Sequence, residues 1–132
     1  MNLVSIRIIT DDSQRLVGFY EQATGLGASW ATPDFAEIVT PAGTLAIGST
    51  STVALFGAGS ARPADNHTAI IEFQVADVDA DYERLNRTTS EFVNEPTTMP
   101  WGNRSLLFRD PDGNLVNFFT PVTADAIAKF AR

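Results

Sequence analysis

The feature that most constrains this chain is an internal repeat, in which one pattern of residues occurs once in each half. Asp12 and Asp77 correspond to each other, and each separates a short apolar run from a stretch with helical spacing of apolar residues. Pro41 and Pro111 correspond in the same way, and each belongs to a turn between two strand-like runs. Such a repeat indicates two copies of one supersecondary unit, placed side by side.

The first copy has the pattern of a β-α-β-β-β unit. Val4–Thr10 is predicted to be a strand, Asp11 or Asp12 caps the helix that follows, and Gly25 ends it. The apolar residues predicted to face the core from this helix are Leu16, Val17, Tyr20 and Ala23, and the three strands after it are Ala28–Ala31, Ala36–Thr40 and Thr44–Gly48.

The second copy repeats this order. Thr68–Val75 is predicted to be a strand, and Asp77 caps a helix with Val78, Tyr82 and Leu85 on one face. The run Asp110–Gly113 has the composition of a tight turn between the last two strands. The three strands predicted after the helix are Phe92–Asn94, Arg104–Arg109 and Leu115–Thr120.

These patterns predict one domain of fold class α+β. A chain of 132 residues has the usual length of a single domain. We expect the first βαβββ module at residues 1–50, a crossover at 51–67, the second module at 68–122 and a C-terminal helix at 123–132. The two modules are expected to share one cupped mixed sheet with both long helices on its convex side.

Composition excludes several classes of function. The chain has no cysteine, so disulfides, thiolate metal sites and a cysteine nucleophile are excluded. The net charge of −7 argues against nucleic-acid binding and favours a neutral or cationic ligand. No apolar run is long enough to span a membrane, and no signal peptide is visible, so we expect no membrane partner and a cytoplasmic protein.

Strand alternation predicts which side chains leave the helix-covered face. Arg7 and Glu72 occupy equivalent positions of the repeat and are both expected on the open face. They form either a charged pair that orients a polar ligand or a structural ion pair. The full set expected on the open face is Ser5, Arg7, Ile9, Ile70, Glu72, Gln74, Asn117 and Phe119.

The sequence resembles the vicinal oxygen chelate superfamily, which includes glyoxalase I, extradiol dioxygenases, fosfomycin-modifying enzymes and bleomycin-resistance binding proteins. The resemblance covers nearly the whole chain. Its motifs are Phe19-Tyr20-Glu21, Gly25-Leu26-Gly27 and the run from Arg109 to Val116, which contains Asp-Pro-Asp-Gly-Asn. It implies two βαβββ modules in an open cupped sheet, assembled as a homodimer.

Enzymes of this superfamily hold a divalent metal ion through four side chains. The resemblance assigns those positions to Ser5, Ala46, Ile70 and Asn117, and a shift of one residue would replace Ala46 by Ile47. None of these residues supplies the imidazole or carboxylate that Zn²⁺, Fe²⁺ or Mn²⁺ prefers. The resemblance is therefore to the metal-free, bleomycin-resistance-like branch, and it implies no metal, no cofactor and no catalytic residue.

In that branch, aromatic side chains stack on a planar ligand, because a flat ring offers a large contact area at little rotamer cost. The aromatic residues here have a second interpretation, in which they pack a dimer interface or the rim of the sheet. The loop Pro96–Arg104 is the best candidate for an edge of the site. The predicted ligand-binding residues are Ser5, Arg7, Trp30, Phe35, Ala46, Ile70, Glu72, Trp101, Asn103 and Asn117.

Three functions stay open at this point. The first is a metal-free protein that binds a small, planar organic molecule, neutral or cationic, such as an antibiotic. The second is an enzyme of the same superfamily, a lyase, isomerase or dioxygenase with atypical ligands. The third is a structural dimer without a physiological ligand.

Overall fold

The computed structural model describes residues 1–88 and 91–131 of the chain. Two compact units are present, one of residues 1–66 with 111–113 and one of residues 67–110 with 114–132. Each unit is built around its own four-stranded mixed sheet with helices packed on it, so the predicted α+β class is confirmed. In the described part of the chain, no helix has the length and apolar character that a membrane crossing requires.

Sheet 1 has the strand order β1-β4-β3-β2. The first strand is parallel to the fourth, and the other pairs are antiparallel. The elements of this unit are β1 (Ser5–Thr10), α1 (Ser13–Thr24), β2 (Ser29–Thr32), β3 (Phe35–Val39), β4 (Thr44–Ser49) and α2 (Thr50–Val53).

Helix α1 begins and ends where the sequence predicts. The side chain of Asp12 accepts a hydrogen bond from the backbone N–H of Arg15 at 3.1 Å, which satisfies a donor of the first turn. Gly25 follows the last turn with φ +73°, a left-handed conformation that glycine adopts without strain. The predicted apolar face is confirmed, because its buried residues are Leu16, Val17, Tyr20 and Ala23.

Sheet 2 repeats this topology with the order β5-β8-β7-β6. Asp77 caps its long helix by accepting from the N–H of Ala80, and Thr123 caps the terminal helix by accepting from Ala126. The elements of this unit are β5 (Ile70–Gln74), α3 (Val78–Leu85), β6 (Thr97–Thr98), β7 (Asn103–Arg109), β8 (Leu115–Pro121) and α4 (Ala124–Phe130).

One local prediction was wrong. The strand predicted at Phe92–Asn94 is reduced to one isolated bridge between Phe92 and Phe108, and the paired segment is Thr97–Thr98 instead. One reason is that the side-chain Oδ1 of Asn94 accepts the N–H of Leu107 at 2.7 Å, so that donor is not used in a strand ladder. A short helix that the sequence did not predict, α2, begins just before the predicted crossover and lies mostly within it.

Each sheet buries its helix-covered face in an apolar core. In sheet 1, Ile38 and Ile47 are fully buried beneath α1. In sheet 2, the ring of Phe108 lies 5.0 Å from that of Phe118, edge to face, an arrangement that stabilises aromatic pairs. The register confirms the predicted alternation, since Arg7 and Asn117 belong to the opposite faces from these core residues. We call these opposite faces, in each sheet, the open face.

The predicted turn between β7 and β8 is also present. Asp110 binds Asn114 through both carboxylate oxygens: Oδ1 accepts the backbone N–H at 2.9 Å and Oδ2 accepts Nδ2 at 2.8 Å. Gly113 completes the turn with φ +83°. Both polar side chains are buried and satisfy each other, which fixes the register of the β7–β8 hairpin. The sharing of one cupped sheet by the two modules stays a prediction.

Candidate functional site

The open face of sheet 2 carries a polar pair on its two parallel strands. Glu72 on the edge strand β5 is paired in register with Asn117 on the central strand β8. Asn117 Nδ2 donates a hydrogen bond to Glu72 Oε2 at 2.8 Å. The two residues differ in environment, because Glu72 is exposed and Asn117 is only 8% exposed.

The other end of the Asn117 amide is buried without a partner. Within the described residues, no donor reaches Oδ1 of Asn117. Exchanging the oxygen and nitrogen of the amide would not help, because it would place Oδ1 against the carboxylate of Glu72. A buried acceptor left unpaired costs about 1–3 kcal/mol of folding free energy. Oδ1 of Asn117 is therefore a buried acceptor that the described residues leave unused.

An aromatic pair lies next to this polar pair. Phe119 is two residues beyond Asn117 on the same strand and therefore on the same face, roughly 7 Å along the strand. Its ring lies 5.0 Å from the ring of Phe130, so helix α4 covers this part of the open face. The sequence placed Phe119 on the open face but did not name either ring as part of the site. An apolar ring on that face needs a covering element. The amphipathic segment that follows β8, predicted as the C-terminal helix, was the sequence signal for it.

The open face of sheet 1 has a different arrangement at the equivalent positions. Arg7 on β1 is paired with Ala46 on β4, which is paired with Glu37 on β3. The guanidinium of Arg7 lies 4.7 Å from the ring centroid of Phe35 and 5.4 Å from that of Phe56. These are cation–π distances, so the positive charge of this face is already in contact with aromatic rings of the same unit.

Arg7 and Glu72 were predicted to form a charged pair. Each has a neighbour inside its own unit, the aromatic rings for Arg7 and the amide of Asn117 for Glu72. The pairing of the two residues with each other stays a prediction.

The structure separates the two tryptophans that the sequence grouped together. Trp30 is paired in register with Ala36, which is fully buried in the row beneath α1, so Trp30 lies on the helix-covered side of sheet 1. Trp101 is 68% exposed in the turn that joins β6 to β7. Of the two, Trp101 is therefore the one that keeps a position from which it can stack on a ligand outside the helix-covered cores.

The neighbours of Trp101 also divide between the two faces. Asn103 has a buried Oδ1 with no donor from the described residues, and its register position is on the open face. Arg104 points to the opposite side, where it binds Asp79 of α3 through Nε at 2.9 Å and Nη2 at 3.0 Å. Arg104, at the end of the predicted loop, is therefore bound to α3 and lies on the face opposite to that of Asn103.

A cleft of about 490 Å³ lies beside this ion pair. The Arg104 guanidinium lowers the pKa of Asp79 by hydrogen bonding to its carboxylate, and the pKa of Arg104 is raised in turn. The cleft is open to solvent. Arg104, the cation that lines it, is bound to the carboxylate of Asp79, which also lines it. Its lining residues are Asp77, Asp79, Ala80, Tyr82, Glu83, Glu95, Pro96 and Arg104.

The four positions that the resemblance assigns to metal ligands do not fit a metal ion here. In sheet 1, Ser5 and Ala46 offer a hydroxyl and a methyl group. In sheet 2, Ile70 offers an alkyl group, and Asn117 offers one neutral amide oxygen next to a single carboxylate. Within residues 1–88 and 91–131, no three His, Asp or Glu side chains come together as metal ligands. This donor set does not match the preferences of Zn²⁺, Fe²⁺ or Mn²⁺.

The chain is similar to proteins of known sequence and structure. It is 28% identical over 125 residues to the uncharacterized protein YraH of Bacillus subtilis strain 168, covering 90% of this chain and 98% of that protein. It has the fold of a glyoxalase/bleomycin resistance protein/dioxygenase family enzyme from Burkholderia phytofirmans PsJN, with a TM-score of 0.80 at 16% identity over 92% of this chain and 100% of that one.

A second solved structure gives the same result. A glyoxalase/bleomycin resistance protein/dioxygenase from Nocardioides matches with a TM-score of 0.74 at 24% identity, over 94% of this chain and 85% of that one. The model of the Glyoxalase/Bleomycin resistance protein/Dioxygenase superfamily matches residues 2–118. The chain therefore belongs to the glyoxalase/bleomycin resistance protein/dioxygenase superfamily.

Proposed function

We propose that this protein binds a small organic molecule at the open face of sheet 2 and does so without a metal ion. The observation that carries the proposal is Asn117, a buried amide held by Glu72 with its carbonyl oxygen unpaired. Small-molecule sites combine apolar walls with a few polar groups of fixed orientation. The Phe119–Phe130 pair and the Glu72–Asn117 pair supply both components on one face.

The ligand in this proposal has a planar part that stacks on Trp101. This ring is exposed, and it is fixed next to the sheet by the turn in which the N–H of Gly102 donates to the carbonyl of Met99 at 2.9 Å. An aromatic stack contributes about 0.5–1.5 kcal/mol beyond the area that it buries. Trp101→Ala is expected to weaken binding more than twofold, whereas Leu55→Ala, at another exposed apolar residue, is expected to leave it unchanged.

The main test is a thermal-shift screen of planar organic molecules, neutral and cationic, against the wild type and Asn117→Leu. A ligand present at 100 times its Kd stabilises the wild type by about 2.7 kcal/mol. We expect at least one compound that shifts the wild type and fails to shift the variant. A screen in which every active compound shifts both proteins equally would contradict the proposed site.

The absence of a metal ion is a separate part of the proposal. It is supported by the donor chemistry of Ser5, Ala46, Ile70 and Asn117. Elemental analysis of the purified protein should find Fe, Mn, Zn and Ni well below one per chain after dialysis. A stoichiometric metal that depends on Asn117 would favour the alternative, an enzyme of the superfamily with atypical ligands.

We also propose that the protein is a homodimer. Large apolar side chains are exposed at and before edge strand β1, among them Leu3, Val4 and Ile6, and such a patch is typical of an interface. Light scattering at micromolar concentration should give twice the mass of one chain. The mass of one chain at that concentration would contradict the proposal.

A further inference from the structure

We propose that the ligand of the open face of sheet 2 is a protonated amine attached to an apolar, aromatic group. This inference deepens the proposed function and rests on it, because it gives the chemical class of the molecule that the same site binds. It depends on the orientation of one amide, on the charge beside it and on the position of the neighbouring rings.

The polar atoms offered to a ligand are acceptors. The hydrogen bond from Asn117 Nδ2 to Glu72 Oε2 uses an amide donor and turns Oδ1 away from the carboxylate. Oδ1 is buried and has no donor in the described part of the chain. A carboxylate and an amide oxygen are both acceptors, so a complementary ligand group supplies N–H or O–H donors.

The charge of Glu72 selects among the possible donors. An ammonium group has three N–H donors, and its positive charge complements the carboxylate, whereas a hydroxyl supplies one donor and no charge. A ligand carboxylate or phosphate would face Glu72 with like charge and would offer no donor to Asn117. The net charge of −7 favours the same sign of ligand over the whole molecule.

The apolar group next to the amine is placed by Phe119 and Phe130, and the planar part that stacks on Trp101 is a more distant portion of the ligand. Phe119 follows Asn117 by two residues on the same face, and the ring of Phe130 lies 5.0 Å from it. Phe130 is partly exposed, and one cation of the chain already lies near its ring, since Lys129 Nζ is 5.1 Å from the centroid. A strand advances roughly 7 Å over two residues, which matches an aromatic ring joined to an amine by a two-carbon chain.

Sheet 1 shows the complementary case within the same chain. At the position equivalent to Glu72, Arg7 provides a cation, and the rings of Phe35 and Phe56 lie against it. Sheet 2 has an anion at this position, an amide in place of Ala46 and rings beside it. Among the described residues, Glu72 is bonded to the Asn117 amide and not to a cation. The cations nearby are Lys129, whose Nζ lies 5.1 Å from the ring centroid of Phe130, and Arg109, which the register places on the open face two residues beyond Leu107.

The test compares three probes that share one ring and chain. Binding of 2-phenylethylamine, 2-phenylethanol and 3-phenylpropanoate is measured by calorimetry at pH 7 on the full chain. We expect the amine to bind at least tenfold more tightly than the alcohol and the propanoate not to bind. Alcohol or propanoate binding as tight as that of the amine would overturn the inference while leaving a small-molecule site in place.

Two variants locate the effect. Glu72→Gln removes the charge on an exposed edge strand, and we expect it to weaken amine binding at least tenfold. Glu83→Gln is the control, because it removes the same charge from an exposed position on α3, across the sheet from the open face. Equal effects of the two variants would overturn the inference, since charge would then act only at long range.

The failure of the inference is distinguishable from failure of the proposed function. If none of the three probes binds, the amine class is wrong, and the thermal-shift screen decides separately whether the site binds anything. If the amine binds equally well to the wild type and to Asn117→Leu, the acceptor role of Asn117 is overturned even though the protein binds amines.

Discussion

The two sheets share one topology and differ in the chemistry of their open faces. In sheet 1, Ala46 on β4 is paired with Arg7 on one side and with Glu37 on the other. The guanidinium of Arg7 contacts aromatic rings of its own unit. In sheet 2, the equivalent edge and central positions are Glu72 and Asn117, and the amide keeps an unpaired buried oxygen. One repeat therefore has the cation of its open face in contact with its own aromatic rings, and the other has a buried acceptor that the described residues leave unpaired.

The helix-covered faces show no such divergence within the described residues. Each is filled by apolar side chains that are almost entirely buried, such as Ile47 in sheet 1 and Phe118 in sheet 2. Packing an apolar face against a helix restricts residue choice in both copies, because a cavity or an unpaired polar group there costs stability. The open faces carry both polar and apolar side chains, and the copies differ there in charge, with Arg7 in sheet 1 and Glu72 in sheet 2.

The largest expected effect tests this difference between faces. Phe118→Ala removes a buried ring from the helix-covered face of sheet 2 and should lower the free energy of unfolding by about 3–5 kcal/mol. Asn117→Leu, next to it in sequence but on the open face, should change it by less than about 1 kcal/mol, because it also removes the unpaired acceptor. Denaturant unfolding of both variants measures the contrast, and equal losses would contradict it.

The next prediction concerns how the short helix after each sheet lies on it. Gly102 has φ +94°, and a Cβ there would overlap Thr123 Oγ1 and come 3.1 Å from Ala126 Cβ, at the start of α4. Gly102→Ala should therefore cost about 1–3 kcal/mol from backbone strain alone, and displacing the Thr123 cap adds to this.

The matched change in sheet 1 is Gly48→Ala. A Cβ at that position would meet Thr52 Oγ1 at 2.7 Å, but only a side-chain hydroxyl must move and the backbone is not in the left-handed region. We expect a smaller loss than for Gly102→Ala, measured by the same unfolding experiment. A larger loss at Gly48 would show that α2, and not α4, is the more tightly packed cover.

A third prediction tests whether sheet 1 satisfies its own cation. A double-mutant cycle with Arg7→Met and Phe35→Leu should give a coupling of about 0.5–1 kcal/mol, the value for an exposed cation–π contact. The equivalent cycle with Glu72→Gln and Phe119→Leu should give no coupling in the absence of ligand. Coupling in the second cycle alone would reverse the comparison.

The smallest expected effect is a pH dependence confined to unit 2. Arg104 lowers the pKa of Asp79 below its ordinary 3.8, so the charged carboxylate stabilises the folded state above that pH. This contribution is lost as the pH falls through the lowered pKa. Because the pair is exposed, the effect should be slight and weakened by salt. Unfolding of Asp79→Asn followed from pH 5 to pH 2 should show a shallower acid loss than the wild type.

The sequence predicted the fold well because its signals are local and occur twice. Asp12 and Asp77 cap helices, Gly25 ends one, and strand alternation placed Arg7 and Asn117 on the open face. The strand at Thr97–Thr98 was missed because it has only two residues, which is too short to show alternation.

The candidate site was predicted less completely. Strand alternation identified Glu72 and Asn117 as residues of the open face. The contact between Phe119 and Phe130 joins a strand to the terminal helix, and the spacing of apolar residues does not specify which rings meet. Trp30 was named through the resemblance as an aromatic residue that could stack on a ligand, and its register with Ala36 places it on the helix-covered face. Contacts between elements depend on packing geometry, which composition and spacing do not encode residue by residue.

The central claim is that a ligand donor binds Asn117 Oδ1 on the open face of sheet 2. Its most direct test is titration of ¹⁵N-labelled protein with 2-phenylethylamine, or with the strongest compound from the thermal-shift screen, while observing the side-chain amide of Asn117. We predict that the Asn117 Nδ2 resonances shift with saturable dependence on ligand, together with backbone amides of Phe119 and Phe130. Saturable binding that leaves all three unchanged would contradict the claim.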